Sequence, residues 1–272
     1  MADPRPIAIV KLGGSVITRK REVEKLRPKI VARLASEIAS IRSHRLVVLH
    51  GAGSFGHPGA VRFGLARPPA ADTAPGARVR GAAIVSAEVR RLHLTVLRAL
   101  VAAGARPWSV PPATLAEQRA GELLRLETGP FAQALEAGFT PVSFGDVVLD
   151  REWGSSILSA DTLALALIGP LGPARVVFVS DVPGVHPPGP VPKGRRPVVR
   201  ELTDATLADL SPSAGGPDVT GGIRGKVAVM RAIARRGVDA GLISGLSDGS
   251  LVRAVEGATG DGSWARAESA GR

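Results

Sequence analysis

The sequence predicts an α/β fold built on a central, mainly parallel sheet, and three observations carry that expectation. Short unbroken apolar runs, such as Ile7-Ala8-Ile9-Val10 and Val176-Val177-Phe178-Val179, read as strands buried on both faces. Segments with apolar residues at helical spacing alternate with them. Glycine-rich turns follow several of the strand-like runs, where a parallel sheet gathers its ligands.

In chain order, residues 7–12 read as the first strand and Gly13-Gly14 as its turn. Leu26, Ile30, Leu34, Ile38 and Ile41 predict a helix over 26–42. Arg45 to His50 contains the second strand, Leu46-Val47-Val48-Leu49, and a second glycine turn follows. Residues 66–77, rich in Pro, Ala and Gly, read as a loop or hairpin edge. Val85, Val89, Leu92, Val96 and Leu100 predict a long helix over 79–103, stopped by Gly104. Short strands near 105–110 and 139–144 are expected, with a helix between them. Val147 to Leu158 reads as a hairpin over Glu152-Trp153-Gly154, followed by a helix from about 160 to 168. Beyond it come a strand at 175–179, a long Pro/Gly-rich loop at 183–197, helices at 203–210 and 222–236, and a strand at 239–243. The last fifteen residues carry little apolar content and are expected to be frayed or only loosely docked. A boundary near 172 divides the chain into lobes of residues 1–172 and 173–272, with no internal repeat.

Composition narrows the function. With 44% hydrophobic and 22% charged residues, 272 residues are enough for one large or two modest globular domains, and whole-chain disorder is excluded. The absence of cysteine excludes a disulfide scaffold, thiolate zinc sites and a cysteine nucleophile. No apolar run approaches the roughly 18–20 residues of a membrane helix. Met1 to Pro6 leads directly into a strand, so no signal peptide and a cytoplasmic location are expected. The net charge is +11, yet aromatics are only 3% and no run of five basic residues occurs, so no nucleic-acid partner is expected. The charge reads as an Arg-rich solvated surface or as a field favouring anionic substrates. Only six of the 35 basic residues are lysine, and three of those sit in or beside glycine-rich turns.

Four turns stand out: Lys11-Leu12-Gly13-Gly14-Ser15, Gly51-Ala52-Gly53-Ser54-Phe55-Gly56-His57, Ser180-Asp181-Val182-Pro183-Gly184, and Asp218 through Gly221-Gly222 to Lys226. Any one of them is ordinary turn glycine. Together, with lysines nearby, they point to one or two phosphorylated ligands, because backbone N–H groups at helix N-termini bind anions. Two motifs mislead. Gly51-x-Gly53-x-x-Gly56 matches a dinucleotide fingerprint, with Asp72 about 20 residues on, but Pro58 and Gly59 are expected to break the helix it requires. Gly221 to Lys226 is one residue short of a P-loop, and Val227 replaces its hydroxyl residue. The five histidines show no metal-ligand spacing, so no protein-held metal is expected. Ser54 is not in a nucleophile elbow. Asp146 and Asp150 read as solvated turn residues, while Asp161 is either a helix N-terminal acid or a group that orients a lysine.

Across these segments the chain resembles the amino acid kinase family, and within it the branch acting on isopentenyl phosphate. The resemblance spans residues 7 to about 257. It includes Pro141-Val142-Ser143-Phe144-Gly145-Asp146 and Ile157-Leu158-Ser159-Ala160-Asp161, and Gly53-Ser54-Phe55-Gly56-His57-Pro58 discriminates the branch best. It implies a three-layer αβα sandwich with an acceptor lobe followed by an ATP lobe, a homodimer, and transfer of the ATP γ-phosphoryl group to isopentenyl phosphate with Mg²⁺ on the nucleotide. By the same resemblance Lys11 and Lys226 hold ATP phosphates and the moving phosphoryl. Gly13, Gly14, Ser15, Gly53 and Gly221 supply donors, and Lys20 stabilises transition-state charge. Ala52, Gly53, His57, Gly145 and Ser159 line the acceptor site, with His57 also catalytic; Asp161 orients the lysines and Asp181 lies at the nucleotide. His186 and the ending Gly260-Asp261-Gly262-Ser263 depart from the family pattern. The competing readings are a fosfomycin-type phosphonate kinase, a nucleotide-binding module without turnover, and a dinucleotide-dependent oxidoreductase.

Overall fold

The computed structural model describes residues 3–19, 22–70, 76–188, 197–210 and 222–268. Its backbone is a seven-stranded sheet in the order β11-β10-β9-β1-β2-β6-β3. The first six of these in chain order are parallel: β1 (Ile7–Leu12), β2 (Arg45–His50), β3 (Pro107–Ser109), β6 (Thr140–Phe144), β9 (Arg175–Ser180) and β10 (Asp239–Ser244). β11 (Ser263–Ala265) closes one edge antiparallel to β10. β9, the first strand after residue 172, lies directly beside β1.

Side-chain alternation along a strand sends successive residues to opposite faces. Ile7, Ile9, Val47, Leu49, Val176 and Phe178 meet one helical layer: α5 (Gly129–Glu136), α6 (Ala160–Ala166) and α9 (Gly222–Ala234), with α7 (Ile168–Leu171) beside them. Ala8, Val10, Leu46, Val48, Val177 and Val179 meet the other: α2 (Pro28–Ser40), α4 (Ala77–Ala102) and α10 (Ser250–Val255). The result is a three-layer αβα sandwich. The short α1 (Gly14–Ile17) and α3 (Gly53–Arg62) open directly from the turns after β1 and β2, and α8 (Asp204–Asp209) packs near α9.

Four sequence expectations are corrected. The helix after Gly51 is not broken: α3 runs through His57-Pro58-Gly59 with Pro58 inside it, and the Ser54 carbonyl that Pro58 cannot pair with accepts the Glu24 N–H at 3.1 Å instead. The segment between β3 and β6 holds α5 as expected, but also a hairpin, β4 (Ala116–Arg119) with β5 (Glu122–Leu126). It joins β7 (Asp146–Asp150) and β8 (Gly154–Leu158) in a four-stranded sheet. The described part of the tail, residues 258–268, is docked rather than frayed, and residues 269–272 lie outside the described residues. Trp264 is 1% exposed, and its ring fills the space over Gly241, where a Cβ would stand 2.5 Å from it. One indole supplies the apolar area that the tail's composition lacks.

Asp146 and Asp150 are buried, not solvated. The Asp150 carboxylate accepts from Ala120 N–H, Gly121 N–H, Glu152 N–H, Trp153 N–H and the Ser156 hydroxyl, so one side chain pins the turns of both hairpins. Asp146 pairs with Arg90 at 3.0 Å, and burial pushes its carboxyl up to about 6.

Candidate active site

Because β1, β2, β6, β9 and β10 are parallel, their C-terminal ends deliver five turns to one edge of the sheet. The turns touch one another through backbone. Gly13 N–H donates to Val179 O at 2.7 Å, tying the first turn to β9. A Cβ on Gly14 would lie 2.4 Å from Gly53 N, and one on Gly51 would lie 2.8 Å from Gly14 N, so only glycine lets the first two turns meet. Gly53 also has φ +51°. Thr18 locks the pair: its hydroxyl donates to Gly14 O at 2.7 Å and accepts the Ser54 N–H at 3.0 Å. Gly145 N–H donates to His50 O, and a Cβ on Gly145 would come 3.3 Å from Ala160 N. Ser15 Oγ donates to Asp181 Oδ1 at 2.7 Å, joining the turns after β1 and β9.

The charged centre follows from strand alternation. Lys11 shares the sheet face of Ile9, and therefore points toward α6 and α9 rather than α2 and α4. Its Nζ stands 2.6 Å from Asp161 Oδ1 on α6. Lys226 Nζ, from α9, donates to Asp161 Oδ2 at 2.6 Å and sits 5.3 Å from the Phe178 ring centre. Burial lowers the Lys11 ammonium to about 8, with the Asp161 charge opposing and Lys226 reinforcing that shift. Burial alone would raise Asp161, but the two ammonium groups hold it well below the usual carboxylate range. Asp161 does lie in the first turn of α6, yet both its oxygens face lysines. Asp161 thus combines a position in the first turn of α6 with ion pairs to both lysines.

The other expected residues take these places. Gly13, Gly14, Ser15, Ala52, Gly53 and Gly145 lie in the interlocked turns. His57 is half-buried in α3. Ser159 is the N-cap of α6, its hydroxyl accepting the Thr162 N–H at 2.9 Å. Lys20 and Gly221 lie outside the described residues, as does the Asp218–Thr220 stretch. Sequence reasoning missed Thr18, and it missed the buried His50–His93 contact at 3.1 Å, since no periodicity marks a hydroxyl or imidazole for such a task. Among the described residues, no group of three or more His, Cys, Asp or Glu side chains could hold a metal, and no helix is long and apolar enough to cross a membrane.

Residues 6–244 match the model of the amino acid kinase family. The chain belongs to the amino acid kinase family. Among its relatives is isopentenyl phosphate kinase of Methanothermobacter thermautotrophicus, 35% identical over 258 residues, covering 92% of this chain and 95% of that protein. Crystal structures of an isopentenyl phosphate kinase superpose with a TM-score of 0.82 at 31% identity, covering 95% of this chain and 99% of the other. The product complex of Thermoplasma acidophilum isopentenyl phosphate kinase gives a TM-score of 0.77 at 28% identity, covering 96% and 100%. The amino acid kinase fold therefore accounts for the whole sheet and both helical layers.

Proposed function

We propose that this chain is an isopentenyl phosphate kinase, transferring the γ-phosphoryl group of ATP to isopentenyl phosphate to give isopentenyl diphosphate and ADP, in isoprenoid synthesis by the alternative mevalonate route. The observation that carries the reading is the Lys11–Asp161–Lys226 cluster beneath interlocked glycine turns. It agrees in kind with the activity of the relatives that match nearly the full chain. The cluster carries two positive charges against one negative, a net +1 that suits an anionic ligand.

The chemistry asks little else of the protein. A phosphate monoester has its second pKa near about 6 and is largely dianionic at pH 7, so no general base is required to make it a nucleophile. The task is to hold two mutually repelling anions in line and to spread charge in a loose transition state. In this reading Lys11 and Lys226 face the transferring phosphoryl group, and Asp161 holds both ammonium groups in place. Gly13, Gly14, Ser15 and Gly53 offer donors to the nucleotide, with Lys20 and Gly221 completing the set and Asp181 at the nucleotide. Ala52, Gly53, His57, Gly145 and Ser159 take the acceptor phosphate. Residues 1–172 then act as the acceptor lobe and 173–272 as the ATP lobe. Mg²⁺ bound with the nucleotide would supply screening of the phosphate charge, with Asp181 the described carboxylate in the turn after β9 that could face it. The donor set fits that arrangement: Asp161 is occupied by two lysines, while Asp181 accepts only the Ser15 and Ser180 hydroxyls among the described residues. The working protein in this reading is a cytoplasmic homodimer.

The test is ADP release with isopentenyl phosphate, fosfomycin, glutamate and UMP as acceptors, with and without Mg²⁺. Turnover with isopentenyl phosphate well above the others is expected. Preference for fosfomycin would move the chain to a phosphonate kinase, and no turnover with any acceptor would leave a nucleotide-binding module.

A further inference from the structure

On the face of the sheet opposite Lys11, a second buried polar chain ends at the same set of turns. His50, the last residue of β2, is fully buried, and His93 of α4 is 5% exposed. His50 Nδ1 lies 3.1 Å from Gly51 O, and His50 Nε2 lies 3.1 Å from His93 Nδ1. His93 Nε2 lies 2.8 Å from the hydroxyl of Ser109, an exposed residue on the edge strand β3. Phe144 packs on both rings, with centroids 5.4 Å from His50 and 4.2 Å from His93.

Donor and acceptor roles follow from one end. A carbonyl oxygen can only accept, so His50 Nδ1 carries the hydrogen. His50 Nε2 is then the acceptor, His93 Nδ1 is its donor, and His93 Nε2 accepts from the Ser109 hydroxyl. Every polar atom of both rings is used, and the chain runs in one direction, from Ser109 to Gly51. Burial pushes both imidazoles down, to about 4 for His50 and about 3 for His93, so both are neutral at pH 7.

An apolar residue could fill the space against Phe144 without the desolvation cost of four ring nitrogens. What the chain alone does is hold the Gly51 carbonyl. That carbonyl and the Ala52 N–H belong to one planar trans peptide and point in opposite directions, so holding the first aims the second away from the ring. Ala52 is the N-cap of α3, where N–H groups precede the first intrahelical bond, and a Cβ on Gly145 would stand 3.9 Å from its nitrogen. We propose that His50, braced by His93 and Ser109, is a positioning residue that fixes the Gly51–Ala52 peptide so that the Ala52 N–H presents to the acceptor phosphate. This rests on the reading of Ala52 as part of the acceptor site.

The test compares His50→Asn with His50→Gln. An Asn amide reaches where Nδ1 stands and can still donate to Gly51 O; a Gln amide reaches toward His93 instead. His50→Gln is expected to lower kcat/KM for isopentenyl phosphate by about 10–100-fold with the KM for ATP unchanged, and His50→Asn to recover most of that loss. Equal activity of the two variants per folded molecule overturns the proposal. Should both fail to fold, nitrogen-15 spectra of the wild-type imidazoles decide: His50 protonated at Nδ1 and bare at Nε2 supports it, and the reverse tautomer overturns it. Titrating inorganic phosphate into the free protein separates this inference from the kinase reading, because it needs no turnover. A phosphate-dependent shift of the Ala52 amide that His50→Gln abolishes supports the positioning role. No shift in the wild type, or the same shift in His50→Gln, overturns it even if isopentenyl phosphate is turned over.

Discussion

The two faces of the sheet handle buried polarity in opposite ways. Toward α6 and α9, Lys11, Asp161 and Lys226 form a charged group whose ion pairs are both 2.6 Å long. Toward α4, His50, His93 and Ser109 form a neutral chain of hydrogen bonds. A net positive cluster draws anions and spreads their charge, but its parts are held together only by mutual attraction. A neutral chain draws nothing, but it fixes geometry without competing electrostatically with the ligand. The difference teaches that, in the proposed reading, one sheet edge separates attraction from alignment by placing each on its own face.

The sharpest way to break the comparison is on the charged face. Lys11→Ala and Lys226→Ala are each expected to lower kcat by about 10²–10³-fold, as deleting one donor to developing charge typically does. Lys→Arg should not rescue, since a planar fork does not replace a compact ammonium. Asp161→Asn should act on the fold as well, by about 3–5 kcal/mol, because it strands two buried ammonium groups without a counter-charge. Steady-state kinetics with thermal unfolding checks all three. Near-wild-type turnover in both lysine variants would remove the charged cluster from the chemistry.

A smaller effect is expected at His57, which α3 carries from the turn that the neutral chain braces. His57→Ala should lower kcat/KM for isopentenyl phosphate by about 10–150-fold if one hydrogen bond to a charged group is lost. His57→Gln, which keeps an N–H donor, should recover part of it, and ATP affinity should change little. If His57→Ala instead weakens ATP binding or melts the protein with acceptor kinetics intact, the residue belongs to the scaffold and not to the acceptor site.

The smallest effects are in pH dependence, where the faces should separate cleanly. Lys11 is charged below about pH 8 in the folded protein, against an ordinary 10.5. Activity measured as kcat/KM for ATP should therefore fall above about pH 8, by no more than tenfold per pH unit. Stability should not fall with it: between 8 and 10.5 the unfolded chain binds more protons at this residue, so this residue's contribution to folding grows as pH rises. On the other face the ordinary imidazole value of 6.5 drops to about 4 and about 3. The unfolded chain again binds more protons, now between about 3 and 6.5, so stability is lost as pH falls through that window. Asp146, raised to about 6, opposes this by one group. The acid limb of a melting-temperature profile should flatten in His93→Gln, whereas Lys226→Ala should leave it unchanged above about pH 4 and alter it only below, where Asp161 titrates. An unchanged acid limb in His93→Gln would show that the imidazoles are not held neutral by burial.

Much of the scaffold was legible in the sequence because it is written in local periodicities. The runs at 7–12, 45–50, 175–179 and 239–243 fell on β1, β2, β9 and β10, and the 3.6-residue spacing of Leu92, Val96 and Leu100 marked the buried face of α4. Glycine turns could be seen because a left-handed φ or a close backbone approach admits little else. The β4–β5 hairpin was not seen, since only one of its nine strand residues, Ala116, is buried apolar and the inward-facing Gln118 is polar. The docked tail was missed because its anchoring is a single indole set over Gly241.

By itself, then, the sequence determined the strand–helix alternation, the turns at the strand ends and the scarcity of lysine outside them, all properties of neighbouring residues. Only the tertiary structure decided which polar groups meet. Asp161 and Lys226 lie 65 positions apart and His50 and His93 lie 43 apart, and no local pattern distinguishes a solvated aspartate at a strand end from one buried against two lysines. The physical reason is that burial and pairing are set by the distance between elements after packing. Desolvation opposes charge on both faces; pairing with Asp161 retains it on one, and the imidazoles of the other, which lack a counter-charge, stay neutral.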